Sequence, residues 1–257
     1  MLFTYDGIVV GRREIGDNSF FLDILTDEQG IIEATAHGAK KLNSGLLSSA
    51  ALFSYSTFCL NKTKLRYTVN SAKPKFSFHD IGNDIIKLSL ASYFAQAIKY
   101  CTPQEQTQDS LVRFMAIALY ELKTPRVSLE TVRAAFELRY SAMLGYAPDL
   151  RACNNCGCYE HEEMFFLPDK GTLVCGDCFN REYGGRSVLL YGGTLSAMRN
   201  ILYAPLDRAF RFTLGENAQE QLSELTEGYF LNRTERRFGA LDYYKKMIDV
   251  RIEVQDE

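Results

Sequence analysis

Four cysteines in two closely spaced pairs constrain this chain more than any other feature of its sequence. Cys153 and Cys156 form the first pair, eighteen residues follow, and Cys175 and Cys178 form the second. Two residues between paired cysteines allow both thiolates to face one point, and two such pairs complete the tetrahedral, all-sulfur shell that suits Zn²⁺. The spacing therefore predicts one zinc ion bound by these four cysteines.

The segment between the two cysteine pairs has the pattern of a short hairpin. Met164–Leu167 and Thr172–Val174 are strand-like runs joined by the turn residues Pro168–Gly171. Gly157 and Gly176 each follow a cysteine and can supply the positive φ that such metal-binding turns need. The sequence therefore predicts a two-stranded ribbon that carries the metal site.

The predicted metal site is a structural one. All four ligands are cysteines, so no coordination position is left for water or substrate. Cys158 could substitute for a ligand, but Cys156 fits the two-residue gap. The ribbon also has an acidic balance that repels phosphate, with four carboxylates against one lysine: Glu160, Glu162, Glu163 and Asp169 against Lys170. We therefore expect nucleic-acid contacts, if the chain makes them, to come from another region.

Size and cysteine usage predict a cytoplasmic protein. The chain has 257 residues, which is long enough for two domains. No apolar run approaches the roughly 18 residues of a membrane helix, and the N-terminus lacks the charged-then-apolar pattern of a signal peptide. Seven cysteines, most of them in zinc spacing, fit a reducing compartment better than a disulfide scaffold.

The net charge of −3 hides a strongly basic segment. Ala34–His79 contains no Asp or Glu but carries seven cations: Lys40, Lys41, Lys62, Lys64, Arg66, Lys73 and Lys75. An ordinary solubilising surface would mix both signs. This segment therefore predicts a face that binds an anionic polymer, with Lys62, Lys64 and Arg66 among the candidate contacts.

The N-terminal third has the pattern of a small β-barrel. Short β-branched or aromatic runs occur at Gly7–Gly11, Phe20–Leu25, Ile31–Ala36, Phe53–Asn61 and Leu65–Ala72. Five strands in about 75 residues favour a closed barrel of the OB type, with an SH3-like barrel as the nearest alternative. Aromatic side chains alternate with the cations here, and we expect about half of them to point into the core.

From residue 80 the hydrophobic pattern becomes helical. The best-defined helix spans 128–144, with Ser128 as its N-cap and Gly145 at its end. Apolar stripes predict further helices before and after the cysteine ribbon. The sequence therefore predicts an α+β chain, with an OB-fold domain at 1–79 and a helical domain at 80–257 that is interrupted by the zinc ribbon at 151–181.

No motif in the sequence indicates catalysis. The phosphate-binding pattern G-x-x-x-x-G-K-[ST] does not occur, and neither does the nucleophile elbow G-x-S-x-G. The sequence has three histidines, and none lies in a zinc deaminase or H-E-x-x-H pattern. We therefore expect a binding protein rather than an enzyme.

The order of these features, and several motifs, resemble the bacterial RecO family of recombination mediator proteins. The run from Phe136 to Leu150 (FELRYSAMLGYAPDL), followed by Cys153–Gly157, is similar to the family signature F-E-L-x-x-L-x-x-L-G-Y-x-P-x-L…C-x-x-C-G. Leu25–Gly30 resembles the family's F-T-E-x-x-G segment, His37–Lys41 its K-G-A-R-R segment, and Arg237–Met247 its basic C-terminal helix. The resemblance covers essentially the whole chain. It departs from the family pattern at His37, Ser141 and Cys158.

The resemblance implies a role without catalysis. Proteins of this family bind single- and double-stranded DNA, anneal complementary strands, and act with RecR to load the RecA recombinase onto strands coated by single-stranded DNA-binding protein. It places Lys40 and Lys41 on the family's basic loop, as phosphate contacts. Arg133 and Arg139, on the 128–144 helix, are candidates for docking the acidic C-terminal tail of the single-stranded DNA-binding protein. A transcription or RNA-binding factor built from a barrel and a ribbon remains the alternative.

Overall fold

The computed structural model describes residues 1–63, 66–103, 106–180 and 187–255. Its N-terminal strands are β1 (Leu2–Ile15), β2 (Ser19–Thr26), β3 (Gly30–Ala36), β4 (Ser54–Lys62) and β5 (Tyr67–Ser77). Within the described residues these strands close into a barrel with the order β1-β2-β3-β5-β4. β3 and β5 are parallel, and the other neighbours are antiparallel. The predicted barrel of the OB type is confirmed.

β1 is much longer than the predicted first strand at Gly7–Gly11 because it pairs with two neighbours. Its first half pairs with β4 and its second half with β2, and the register shifts between Val9 and Gly11. A Cβ added at Gly7 or at Gly11 would lie 2.6 Å or 2.3 Å, respectively, from a side-chain atom of β2. Glycine at these positions therefore lets β1 approach β2 closely where the strand bends to close the barrel.

The barrel interior is filled by alternate side chains of its strands, as the two-residue period of a strand requires. Six aromatic residues alternate with the cations: Phe53, Tyr55, Phe58, Tyr67, Phe76 and Phe78. Phe53, Phe58 and Phe78 are buried, Tyr55 and Tyr67 are half-buried, and Phe76 is 44% exposed. The apolar core is formed by Val9, Phe20, Leu22, Ile24, Ile32, Ala34, Ala36, Ala39, Ala50, Phe58, Leu60 and Val69. The expectation that about half of the aromatic side chains point inward is confirmed.

The chain divides into two compact units, Met1–Thr124 with Phe238–Glu257, and Pro125–Arg237. The first unit contains the barrel with α1 (Ile85–Cys101), α2 (Leu111–Lys123) and α6 (Gly239–Gln255). The expected boundary between residues 79 and 80 therefore lies inside the first unit. The division into a barrel domain at 1–79 and a helical domain at 80–257 stays a prediction.

The turn between β2 and β3 caps α2 from a distant part of the sequence. The Asp27 carboxylate accepts a hydrogen bond from the Val112 backbone N–H at 2.8 Å, in the first turn of the helix. Gly30 has a φ of +63°, and a Cβ there would lie 2.3 Å from the Pro103 carbonyl oxygen. The segment Leu25–Gly30, which carries part of the family resemblance, thus docks the α1–α2 connection onto the barrel.

The second unit combines helices with a small sheet. α3 (Leu129–Met143), α4 (Gly192–Tyr203) and α5 (Glu216–Thr234) pack together. The Ser128 hydroxyl accepts a hydrogen bond from the Thr131 N–H at 3.1 Å, and Gly145 has a φ of +89° just beyond α3. The predicted N-cap and the predicted glycine end of this helix are therefore confirmed.

The cysteine ribbon is larger than the predicted hairpin. β7 (Met164–Leu167) and β8 (Thr172–Cys175) form that hairpin. Among the described residues, β6 (Asp149–Cys153) adds to β8 and β9 (Val188–Leu189) adds to β7, in the order β6-β8-β7-β9. β6 and β9 are short and show little of the alternating pattern that is typical of a strand. The sequence therefore did not predict them. None of the helices in the described part of the chain is long and apolar enough to span a membrane.

The capping role of Asp27 can be tested by two substitutions at one position. Asp27→Ala removes the acceptor for the Val112 N–H and should lower the free energy of unfolding by about 1 kcal/mol. Asp27→Asn keeps a side-chain oxygen and should lose much less. Urea denaturation of both variants measures this difference, and equal losses would show that Asp27 does not act as a helix cap.

Candidate metal centre and nucleic-acid interface

The structure brings the four predicted ligands together. The Sγ atoms of Cys153, Cys156, Cys175 and Cys178 all lie within 4.8 Å of one another. The Cys156 and Cys175 sulfurs are 3.6 Å apart. A tetrahedral zinc site with bonds of about 2.3 Å has sulfur–sulfur distances of roughly 3.8 Å. The cluster therefore has the size and the donor atoms to hold a metal ion, and an all-thiolate set suits zinc.

Backbone geometry positions the cysteines at the ends of strands and in tight turns. Cys153 ends β6 and Cys175 ends β8. Gly157 has a φ of +74°, as predicted, and its N–H donates to the Cys153 carbonyl at 2.9 Å. Gly176 is not among the residues with positive φ, so that expectation is wrong. An added Cβ there would lie 2.8 Å from the Glu163 carboxylate, at the end of a flexible side chain.

The ionisation of the thiols shows why a cation fits this cluster. Burial opposes ionisation of Cys153, but backbone N–H groups of Cys156, Cys175 and Asn155 stabilise the thiolate and lower its pKa to about 6. Hydrogen bonds with the Cys156 and Cys175 thiols, together with burial, raise the pKa of Cys178 to about 12. The protein groups alone therefore stabilise the Cys153 thiolate and oppose ionisation of Cys178. A divalent metal ion supplies the positive charge that four thiolates require.

The extra cysteine lies outside this cluster. The Cys158 thiol donates a hydrogen bond to the Glu160 carbonyl at 2.8 Å. The Cys158 carbonyl, in turn, accepts from the Cys153 N–H. Its backbone thus supports the metal-binding turn, while its sulfur points to a different partner. The choice of Cys156 over Cys158 as a ligand agrees with these positions.

Lys40 is anchored to the barrel rather than free at its surface. Its Nζ lies 2.7 Å from the Glu14 carboxylate and 3.2 Å from the Gly16 carbonyl oxygen. It also lies 5.5 Å from the centre of the Phe20 ring, which the Arg12 guanidinium covers at 4.5 Å. These contacts fix the segment after β3 against the turn between β1 and β2. Sequence reasoning missed Arg12, whose proximity to Phe20 arises only from strand pairing.

Among the other cations at this part of the barrel, Lys41 and Arg66 are more accessible. Lys41 is exposed, lies beside the 90%-exposed Leu42, and makes no ion pair with a described residue. Lys62 ends β4, and its Nζ lies 4.9 Å from the centre of the Tyr67 ring. Arg66 is exposed just before β5, and Lys64 lies outside the described residues.

Strand pairing relates these cations to the loops that OB folds use for binding. Lys62 and Arg66 flank the turn between β4 and β5, and Lys40 contacts the turn between β1 and β2. Both turns are typical oligonucleotide-binding loops of OB barrels. The parallel pairing of Ala34 with Tyr67 brings the start of β5 beside β3, whose end leads into the Lys40–Lys41 segment. The basic residues are thus clustered on neighbouring strands.

Arg133 and Arg139 have structural contacts inside the second unit, which corrects the expectation that they face a partner. Arg133 is buried and forms ion pairs with Glu137 at 3.0 Å and Glu227 at 2.6 Å. Arg139 is half-buried, and its guanidinium donates to the carbonyls of Ile201, Leu202 and Ala204. The sequence of one helix does not show which other helices pack against it, so the helical pattern did not predict these contacts.

The fold and the cluster define a class of protein, a barrel of OB topology joined to helices and a four-cysteine ribbon. Two family models match the chain: the N terminal of recombination protein O at residues 1–78 and its C terminal at residues 82–242. The chain belongs to the RecO family.

Individual relatives cover nearly the whole chain. The chain is 30% identical over 242 residues to a protein named DNA repair protein RecO from Acetivibrio thermocellus, covering 94% of this chain and 95% of that protein. It is 29% identical to the protein of the same name from Alkaliphilus metalliredigens, covering 96% of this chain and 100% of the relative. The resemblance noted from the motifs is therefore confirmed.

Proposed function

We propose that this chain is a DNA-binding recombination mediator that acts in DNA repair without catalysing a chemical step. The observation that carries the proposal is the clustering of cations around the two binding loops of an OB barrel, where Lys41 and Arg66 are exposed. Membership of the RecO family supports it, because the relatives are named as DNA repair proteins. Lys40, Lys62 and Lys64 complete the proposed phosphate-contacting set.

The proposed mechanism is strand annealing by charge neutralisation. Lysine and arginine side chains on one protein surface offset the charge of two polyanionic strands and reduce their mutual repulsion. Two strands held on one protein also have a higher effective concentration for each other. Complementary bases can then pair without ATP hydrolysis, in agreement with the lack of a phosphate-binding motif in the sequence.

The partners proposed for this role are RecR, the C-terminal tail of single-stranded DNA-binding protein and, indirectly, RecA. The tail needs an apolar groove that is edged by cations. Because Arg133 and Arg139 are used inside the second unit, we do not assign the docking of the tail to them. RecA would be loaded after the coating protein has been displaced from the strand.

We propose one structural Zn²⁺, bound by Cys153, Cys156, Cys175 and Cys178. With four thiolates the shell is closed, so the ion would hold the ends of β6 and β8 and the turns after them in one place. Bound metal contributes directly to the free energy of folding, because the unfolded chain has no preformed site. The function of the ion is therefore to stabilise the ribbon.

The metal proposal predicts a difference between two neighbouring cysteines. Purified protein should contain about one zinc ion per chain by elemental analysis. Cys153→Ser should lose the ion and lower the thermal stability, because it removes one of the four thiolate ligands. Cys158→Ser is the matched control and should keep both. Folded wild-type protein without zinc, or zinc loss in the control only, would contradict the assignment.

The DNA-binding proposal predicts a charge-dependent affinity for single strands. Lys41→Glu should weaken binding of an oligonucleotide at low salt and reduce the slope of log affinity against log salt by about 1. Lys41 is preferred to Lys40 for this test because Lys40→Glu would also disrupt the pair with Glu14. Arg113→Glu, at an exposed position on α2, is the matched control. Fluorescence anisotropy across a salt series measures both effects.

Two results would contradict the proposal. Equal losses in Lys41→Glu and Arg113→Glu would mean that the barrel loop is not the binding surface. A strong preference for RNA, or for one duplex sequence, would favour a transcription or RNA-binding factor, because phosphate contacts position a ligand without specifying its sequence.

A further inference from the structure

The end of the barrel beside the β4–β5 turn carries aromatic side chains that the basic pattern does not explain. Phe3 and Tyr5 lie on β1, two residues apart, and are half-buried; their rings are parallel within 5°, with centroids 6.0 Å apart. Tyr67, at the start of β5, is also half-buried. Tyr5 and Tyr67 pack against the barrel core from these partly exposed positions. We call Phe3, Tyr5 and Tyr67 the aromatic platform.

Tyr5 and Tyr67 of the aromatic platform both pack against the barrel core. Burial raises the pKa of Tyr5, the nearby Tyr67 hydroxyl and Glu28 carboxylate raise it further, and the ammonium of Lys62 acts in the opposite direction. Phe3 pairs with Leu60 on β4, two residues before Lys62. The cation of Lys62 therefore lies among these rings, 4.9 Å from the centre of Tyr67.

We propose that the aromatic platform stacks the bases of single-stranded DNA. The proposal rests on the proposed DNA-binding function and assigns the ligand groups of that site. A partly exposed aromatic ring at an OB barrel end offers a π-face that every base can use. The Lys62 ammonium places a positive charge beside the Tyr67 ring.

The strength of base stacking favours this assignment. Stacking of a base on a protein ring raises affinity by roughly 5- to 150-fold. Bases in a duplex are already stacked on each other, so the platform should favour single strands.

The barrel also provides a matched control on its outer wall. Tyr55 is half-buried and has the Lys75 ammonium 5.2 Å from its ring centre, an arrangement similar to that of Tyr67 and Lys62. Tyr55 lies on the face of β4 opposite to the buried Ser56 and Phe58, so its side chain faces away from the barrel interior. Lys75 is additionally held by Asp6. A general effect of tyrosine–lysine pairs would appear at both positions.

The chain contains no tryptophan, which allows a single fluorescent reporter to be introduced at either position. Tyr67→Trp and Tyr55→Trp are prepared in the full-length protein. Each is titrated with oligo(dT) and with an oligomer of the same length that has abasic sugars and the same phosphates. Tryptophan emission reports stacking, and the anisotropy of a dye at the oligomer end reports binding.

We expect oligo(dT) to quench the emission of Tyr67→Trp and the abasic oligomer to leave it unchanged, with Tyr55→Trp unaffected by both. Tyr67→Leu should weaken oligo(dT) binding about 10-fold and leave abasic binding unchanged. Oligo(dT) binding with no base-dependent quenching, or equal quenching at both positions, would overturn the platform while leaving DNA binding intact. No binding of either oligomer to the wild type would overturn the proposed function as well.

Discussion

The double pairing of β1 is the constraint on which the barrel depends. One strand pairs with β4 along its first half and with β2 along its second, so the sheet closes without an exposed edge at this strand. The bend between the halves requires the close approach that glycine permits at Gly7 and Gly11. Closure in turn fixes where β5 begins, and thereby where Lys62, Tyr67 and Arg66 lie relative to β3.

The second unit solves a different problem, because its ribbon has short strands and an acidic surface. Four cysteines from the ends of strands and the adjoining turns meet at one point, where a metal ion can hold these segments together. α3 and α5 are joined by polar contacts, of which the ion pair of Arg133 with Glu227 is the clearest. Some charged residues in this unit therefore stabilise the packing of its helices, in addition to those that cover its surface.

The sequence predicted those features that depend on local pattern. Cysteine spacing indicated the metal cluster, and the two-residue and helical periods indicated the barrel and the helices. Contacts between distant residues were not accessible in this way. The cap formed by Asp27 on α2 joins positions 85 residues apart, and the burial of Arg133 depends on α5. The aromatic platform was missed because Phe3 and Tyr5 precede the basic segment and meet Tyr67 only after the barrel closes.

The central claim is that a basic barrel anneals DNA strands by neutralising and holding them, with no chemical step. The most direct measurement is the annealing rate of two complementary labelled strands that carry single-stranded DNA-binding protein, followed by energy transfer between the labels. The account predicts that this chain accelerates annealing without nucleotide and without added divalent metal. Acceleration that appears only when ATP is supplied and hydrolysed would contradict it.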